Sequence, residues 1–304
     1  MKCALLTLPV FLGLVLIGCK SSDRANRKSS KSPADWLAWK ATRLESIAGP
    51  NGWTTLTGLH WLQEGPNTAG GSPANQVVLP RQRVAASIGR FVRTGRLVRF
   101  EAAPGIVATV EGKPVQAVEL QSDALLDPTV LRVGPLSIIV LERGERIGLR
   151  VRDPEAPTRT RFRGIKCFAY DPAWCITGRF EPALAMKKIG VPDMIGGTQE
   201  FVVPGTVAFA YAGAEHRLVV VEEPGEEDYF VMFRDHTAGA STYPTGRFLY
   251  IARPDETGRV TIDFNRAYSP PCGFTPYATC PLPPRENWLP FEVRAGEQKP
   301  PGHH

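Results

Sequence analysis

Arg146-Ile147-Gly148-Leu149-Arg150-Val151-Arg152 sets Ile147, Leu149 and Val151 at alternate positions, with Arg146, Arg150 and Arg152 between them. A period of two is the signature of a β-strand with one face turned to a core. Ile147, Leu149 and Val151 are therefore expected inside, with the arginines together on the opposite face. Upstream, Val77 to Leu79, Leu97 to Phe100, Ile106 to Val110, Leu131 to Val133 and Leu136 to Leu141 are short apolar runs separated by turn residues, the pattern of an antiparallel β protein. Beyond Phe162 a second series follows: Val202-Val203, Thr206 to Tyr211, Leu218 to Glu222, Tyr229 to Phe233, Phe248 to Ala252 and Val260 to Phe264. The 29 glycines and 28 prolines suit a turn-rich chain. The expected fold class is all-β, with one lobe over residues 51–156 and a second lobe, a meander or barrel with a proline-rich docked tail, over residues 157–304.

One helix precedes them. Ser32-Pro33 offers a capping hydroxyl and a proline at the first helical position, and Gly49-Pro50 closes the run. The spacing of Leu37, Ala41, Leu44 and Ala48 predicts an amphipathic helix over 33–50, with Trp36 and Trp39 packing on the body. Residues 19–32 are polar, with five basic side chains between Lys20 and Ser32, and are expected to form a disordered tether. Lys2, the apolar run Ala4 to Ile17, and Leu16-Ile17-Gly18-Cys19 resemble a bacterial lipoprotein signal. The run is shorter than the about 20 residues a span needs, so residues 1–18 are expected to be a cleaved signal peptide. Cys19 would carry lipid. Because Lys20 is not aspartate, the expected location is the outer membrane, facing the periplasm.

An exported chain favours disulfides. Three pairings are possible among Cys167, Cys175, Cys272 and Cys280, and the short loops favour Cys167–Cys175 and Cys272–Cys280. With no C-x-x-C and no histidine near these cysteines, no metal site and no cofactor are expected. The net charge of +6 suits solubility or an anionic partner such as an envelope small molecule or glycan. Nucleic acid is not an expected partner in that compartment.

Two resemblances add to this. Leu62 to Gly71, Asn75 to Pro80, Val110 to Val115 and Leu131 to Gly134 resemble the forkhead-associated β-sandwich. That family's phosphothreonine-reading arginine and histidine are replaced here by Gly71 and Arg90, so the resemblance implies the fold without phosphopeptide binding. Gly52-Trp53 through Leu62, Arg143 to Asp153, Asp235-His236-Thr237 with Thr242-Tyr243 and Gly246-Arg247, and Asp263 to Tyr268 with Cys272 and Cys280 to Pro284 are similar to the domain of unknown function 1684 family. That family implies no established activity.

Three groups of residues can carry chemistry. Seven arginines fall between Arg143 and Arg163, and Arg150, with Asp153 beside it, is the candidate to fork onto an anion. A solvated outer face is the plainer reading. The second group is Asp235, Thr237, Tyr243 and Arg247. It reads either as a polar pocket or as a turn cap paired with its arginine. The third is Asp263, Asn265 and Tyr268, which can hold a hydroxyl or tie down the tail. The sequence lacks the G-x-S-x-G, H-E-x-x-H and phosphate-loop motifs. A binding or accessory role for an anionic envelope molecule is the leading expectation. The alternatives are a hydrolase at the lobe interface using Asp235, His236 and Asp263, and a structural protein-interaction lipoprotein. Detergent partitioning of Cys19→Ala checks the anchor: the variant is expected to leave the membrane fraction, and an unchanged fraction rules the anchor out.

Overall fold

A computed structural model describes residues 32–300 apart from Leu126. The signal segment, Cys19 and most of the tether lie outside the described residues.

The first lobe runs through β1 (Leu56–Trp61), β2 (Gly65–Gly70), β3 (Val77–Val78), β4 (Gly89–Thr94), β5 (Leu97–Ala102), β6 (Ala108–Val110), β7 (Lys113–Val115), β8 (Ala117–Leu120), β9 (Leu131–Val133), β10 (Leu136–Arg143) and β11 (Arg146–Arg152). These strands build a five-stranded sheet, β3-β2-β4-β5-β8, and a six-stranded sheet, β1-β11-β10-β9-β6-β7. Phe91 and Phe100 of the first share one apolar core with Ile138, Val140, Ile147, Leu149 and Val151 of the second. The lobe is a β-sandwich whose inner face on β11 is the one the alternation predicts. Gly144, at φ +59°, makes the two-residue turn from Arg143 to Arg146; a side chain would be strained there.

The second lobe is one antiparallel sheet of β12 (Cys175–Pro192), β13 (Thr198–Tyr211), β14 (Ala214–Glu222), β15 (Tyr229–Phe233), β16 (Arg247–Ile251) and β17 (Arg259–Asp263), in the order β16-β15-β14-β13-β12-β17. Both its faces are apolar. Along β15, Tyr229, Val231 and Phe233 enter one core while Phe230 and Met232 enter another. After β17 the chain makes a single 3-10 turn, Phe264–Arg266, and Tyr268 then pairs with Phe248 on β16. One short segment therefore connects the two edges of the sheet. The sequence pattern passes over β12 because most of its residues are solvent-exposed, which removes the period-two signal.

The helix α1 (Pro33–Ala48) has the predicted cap: the Ser32 hydroxyl accepts from the Asp35 amide at 3.2 Å. Its packed face differs from the expectation. Leu37 and Leu44 are exposed, and the helix buries Arg43 and Ile47. Arg43 Nε donates to Glu297 Oε1 at 2.8 Å, and Nη2 donates to the Ser269 carbonyl at 2.7 Å. Glu297 Oε2 accepts from the Ser269 amide at 2.8 Å, and Trp36 Nε1 donates to the Asn265 carbonyl at 3.0 Å. Hydrogen bonding to the second lobe, rather than leucine burial, sets the helix's rotation.

The disulfide expectation is also corrected. Among the described residues no disulfide links Cys167, Cys175, Cys272 or Cys280. Cys167 pairs by backbone with Glu297, whereas the Cys175 thiol donates to Asp263 Oδ1 at 3.2 Å, so their short separation in sequence does not join them. Cys272 and Cys280 are neighbours, with the Cys272 amide 3.1 Å from Cys280 Sγ. Hydrogen bonds hold the tail instead: Asn287 Oδ1 accepts from the Val219 amide at 2.7 Å, and its Nδ2 donates to the carbonyls of Val219 and Met232 at 2.9 and 2.8 Å.

Arg43→Ala removes one partner of a buried pair and is expected to lower stability by about 3 kcal/mol. Leu44→Ala, on the solvent side of the same helix, is expected to change it by less than about 1 kcal/mol. Urea unfolding of both variants tests the assignment of the buried face, and the reverse ranking overturns it.

Candidate functional site: a cleft beneath the β11 arginine

At Arg150 the outer face of β11 does not meet open water, although Arg146 on the same face is exposed. Arg150, between Leu59 of β1 and Ile139 of β10 in register, is only 6% exposed. Its Nε is buried without a hydrogen-bond partner. The guanidinium carbon lies 5.4 Å from the centre of the Trp53 ring. Burial brings its pKa down to about 10. The charges of Arg143 and Arg152 push the same way, and Asp123 and Cys280 offset them in part. Below that pH the group is a cation held in a poorly solvated place.

The guanidinium borders a cleft of about 950 Å³ between α1, the β10–β11 face and the second sheet. Phe201, Phe230, Phe248, Tyr250 and Tyr268 supply an aromatic wall. Phe230 stands 4.9 Å from Phe248 and 5.3 Å from Tyr250, centre to centre, and Tyr268 stacks on Tyr250 at 6.2 Å. Burial, then Tyr268 and Glu223, raise the Tyr250 hydroxyl well above its ordinary value; the hydroxyl donates to Glu223 in a short hydrogen bond.

Other charges around the cleft have partners. Arg143 Nη2 meets Asp123 Oδ2 at 2.9 Å, and Arg143 Nε reaches across the lobes to Thr279 Oγ1 at 3.0 Å. Arg43 pairs with Glu297, Glu142 with Arg96, and Glu200 with Lys188. Arg146 and Arg152 are also satisfied. Arg146 lies 3.9 Å from the Trp61 ring centre and donates to the Ile195 carbonyl at 3.1 Å. Arg152 donates to the carbonyls of Asn51 and Gly52 at 2.7 and 2.9 Å.

Of the candidate residues, the cleft brings together Arg150 and Tyr268. The others stand elsewhere. Asp153 accepts from Arg83 Nη2 at 3.0 Å. Asp235 pairs with fully buried Arg247 at 3.1 Å and accepts from the Thr237 hydroxyl at 2.6 Å and the Val293 amide at 2.7 Å. Arg247 donates to the carbonyls of Val293, at 2.8 Å, and Ala295. This pair secures the tail inside the second lobe, as the turn-cap reading has it. Tyr243 is packed in the apolar core, where burial pushes its hydroxyl up to about 12. Asp263 holds the Asn265 amide at 3.1 Å, and Asn265 exchanges bonds with the Asp171 backbone at 2.9 and 3.0 Å. His236 is exposed. Asp235, His236 and Asp263 thus form no acid–base set lining the cleft. Sequence reasoning passed over Arg43, Trp53 and Tyr250. Only the helical spacing of Arg43 with Trp36 and Ile47 hints at one of them. Among the described residues no cluster of three or more His, Cys, Asp or Glu is arranged for a metal.

Replacing a buried charge that lacks a partner by an apolar side chain of similar length removes a desolvation cost, whereas breaking a pair exposes one. Arg150→Met is therefore expected to raise stability by about 1–3 kcal/mol, and Arg247→Met to lower it by about 3–5 kcal/mol. Thermal unfolding of both variants at pH 7 checks the contrast; destabilisation by Arg150→Met contradicts it. The half-buried thiols Cys167 and Cys175 are each pushed up to about 11, chiefly by burial, with Glu297 adding at the first and Asp263 at the second. Their alkylation in the native protein is expected to be slow at pH 8 and to rise about tenfold per pH unit towards pH 10, since the thiolate is the reacting form. Peptide mapping after timed iodoacetamide treatment reads this.

No curated protein matches the chain. Among solved structures, an uncharacterized protein of Haloarcula marismortui is 28% identical, with a TM-score of 0.41, over 48% of this chain and 81% of its own. The FhaA FHA domain, solved in complex with the intracellular domain of another protein, is 22% identical, with a TM-score of 0.22, over 31% of this chain and 97% of its own. The sandwich motifs Gly52 to Leu62 and Arg143 to Asp153 fall outside the segment that a family model recognises. Residues 160–298, comprising the second lobe and its docked tail, match the family described as Protein of unknown function (DUF1684).

Proposed function

We propose that the protein binds a small amphipathic organic anion in the cleft between its lobes. The observation that carries this reading is Arg150, a buried cation whose Nε has no partner and which borders a cavity of about 950 Å³. Leaving a buried donor unsatisfied costs about 1–3 kcal/mol, so a carboxylate, sulfonate or phosphate that accepts from it restores what folding withholds. Ligand sites commonly occupy about 300–1,000 Å³ and combine apolar walls with few polar groups. The aromatic wall suits an apolar body joined to the anion. Acidic side chains also line the cleft: Asp123, paired with Arg143, acts on Arg150 only in part, and Glu142, Glu200 and Glu223 bond to Arg96, Lys188 and Tyr250.

In this reading the chain is a binding or accessory protein of the cell envelope, tethered through Cys19 to a membrane. The lipoprotein-like leader supports that placement. Among the described residues no helix is long and apolar enough to cross a membrane. The aromatic sulfonate 8-anilinonaphthalene-1-sulfonate and its uncharged relative N-phenyl-1-naphthylamine test the site by fluorescence titration. Arg150→Met is expected to weaken the sulfonate by about 10- to 100-fold, the worth of a charged hydrogen bond, and to leave the uncharged dye nearly unchanged. Arg150→Lys, which keeps the charge but loses the fork, is expected to fall between. Equal affinity of wild type and Arg150→Met for the sulfonate overturns the assignment.

A further inference from the structure

The hairpin of β12 and β13 carries an apolar projection that the cleft does not use. β17 pairs with β12 only over Cys175 to Arg179, so among the described residues no strand covers that outer edge beyond Phe180. The register with β13 jumps from Pro182↔Gly205 to Lys187↔Val203, leaving the four residues Ala183 to Met186 against the single Pro204. Bulges of this kind turn side chains away from a sheet. Leu184 is fully exposed and Met186 is 88% exposed, the two most exposed large apolar side chains among the described residues.

Lys187 and Lys188 follow directly, and both are exposed; Lys188 lies 3.6 Å from the exposed Glu200 carboxylate, a solvated pair of little strength. A lysine on a free strand edge also discourages pairing with another strand, which argues against a second β-chain as the occupant. A specific protein interface needs on the order of 1,000 Å², far more than a four-residue bulge with two apolar side chains presents. A lipid surface has no such requirement: apolar side chains enter the boundary of the acyl chains while flanking lysines stay among anionic head groups. We propose that Leu184 and Met186 insert into an anionic lipid bilayer, with Lys187 and Lys188 against its head groups. This contact is separate from any lipid carried at Cys19 and does not rest on the cleft reading. Thr198 to Phe201, which line the cleft, pair with Pro192 to Ile189 at the turn end of the hairpin, a few residues along β12 from this bulge.

Hydrogen–deuterium exchange of the full chain reads this contact locally, whatever holds the N-terminus. With vesicles of phosphatidylglycerol and phosphatidylcholine in equal parts, amides 184–188 are expected to exchange at least about threefold more slowly than in buffer. Vesicles of phosphatidylcholine alone should protect them less, since each lysine near an anionic surface contributes about fivefold in affinity. Lys187→Glu with Lys188→Glu, and separately Leu184→Ser with Met186→Ser, should each abolish the protection. These exposed positions leave the core untouched. Unchanged exchange at 184–188 with anionic vesicles overturns the proposal. So does equal protection by both vesicle types that survives both double variants, or protection that grows with protein concentration when no lipid is present.

Discussion

At its centre, strand β11 is covered on both faces. Ile147, Leu149 and Val151 fill the sandwich core, while on the opposite face Arg150 is 6% exposed beneath Trp53, α1 and the second lobe. A guanidinium on an outer sheet face normally keeps its head in water. Here the lobes meet around it, and water is largely excluded before the group has found an acceptor. The shape of the cleft, its mixed charge and its aromatic wall follow from that one placement.

The buried arginines of the molecule divide sharply by what they meet. Arg43 has Glu297 and the Ser269 carbonyl; Arg247 has Asp235 and two tail carbonyls. Both are clasps, because each joins segments far apart in sequence and each would leave a charge stranded if cut. Arg150 joins nothing by hydrogen bond. Arg247 also keeps its Nε without a partner, but its other nitrogens are bonded to Asp235 and the tail carbonyls, whereas Arg150 has no such clasp. Marginal stability leaves little room for a cost that serves no purpose. The same contrast separates structure from site among the acids, since Asp235 and Asp263 spend their lone pairs on backbone amides rather than on a cavity.

Free thiols sharpen the picture of the tail. The irregular, proline-rich chain that follows Tyr268 needs partners for its backbone groups. Asn287 and Glu297 provide them by reaching into strand ends and loops, a task a single crosslink between Cys272 and Cys280 would not perform. The tail is a built part of the second lobe: Leu289, Val293 and Ala295 belong to its core.

Composition and periodicity alone determined the all-β character, the β11 inner face, the two series of strands and the capped helix, because each rests on interactions within a few residues. Alternation reports which face is apolar; it does not report what covers the other face. That is why Arg146, Arg150 and Arg152 look equivalent in the sequence, while in the fold one stacks on Trp61, one is spent on backbone carbonyls and one borders a cleft. Leu37 and Leu44 misled for the same reason: the side of α1 that docks is chosen by Glu297 and Asn265, more than 200 residues away. The exposed β12 strand carries no period to read. Asp235 and Arg247 were visible as a pair, but only packing decided that they close a core rather than open a pocket. Local hydrogen bonding and patterning are written in neighbouring residues, whereas desolvation of a charge depends on every element that comes to lie over it.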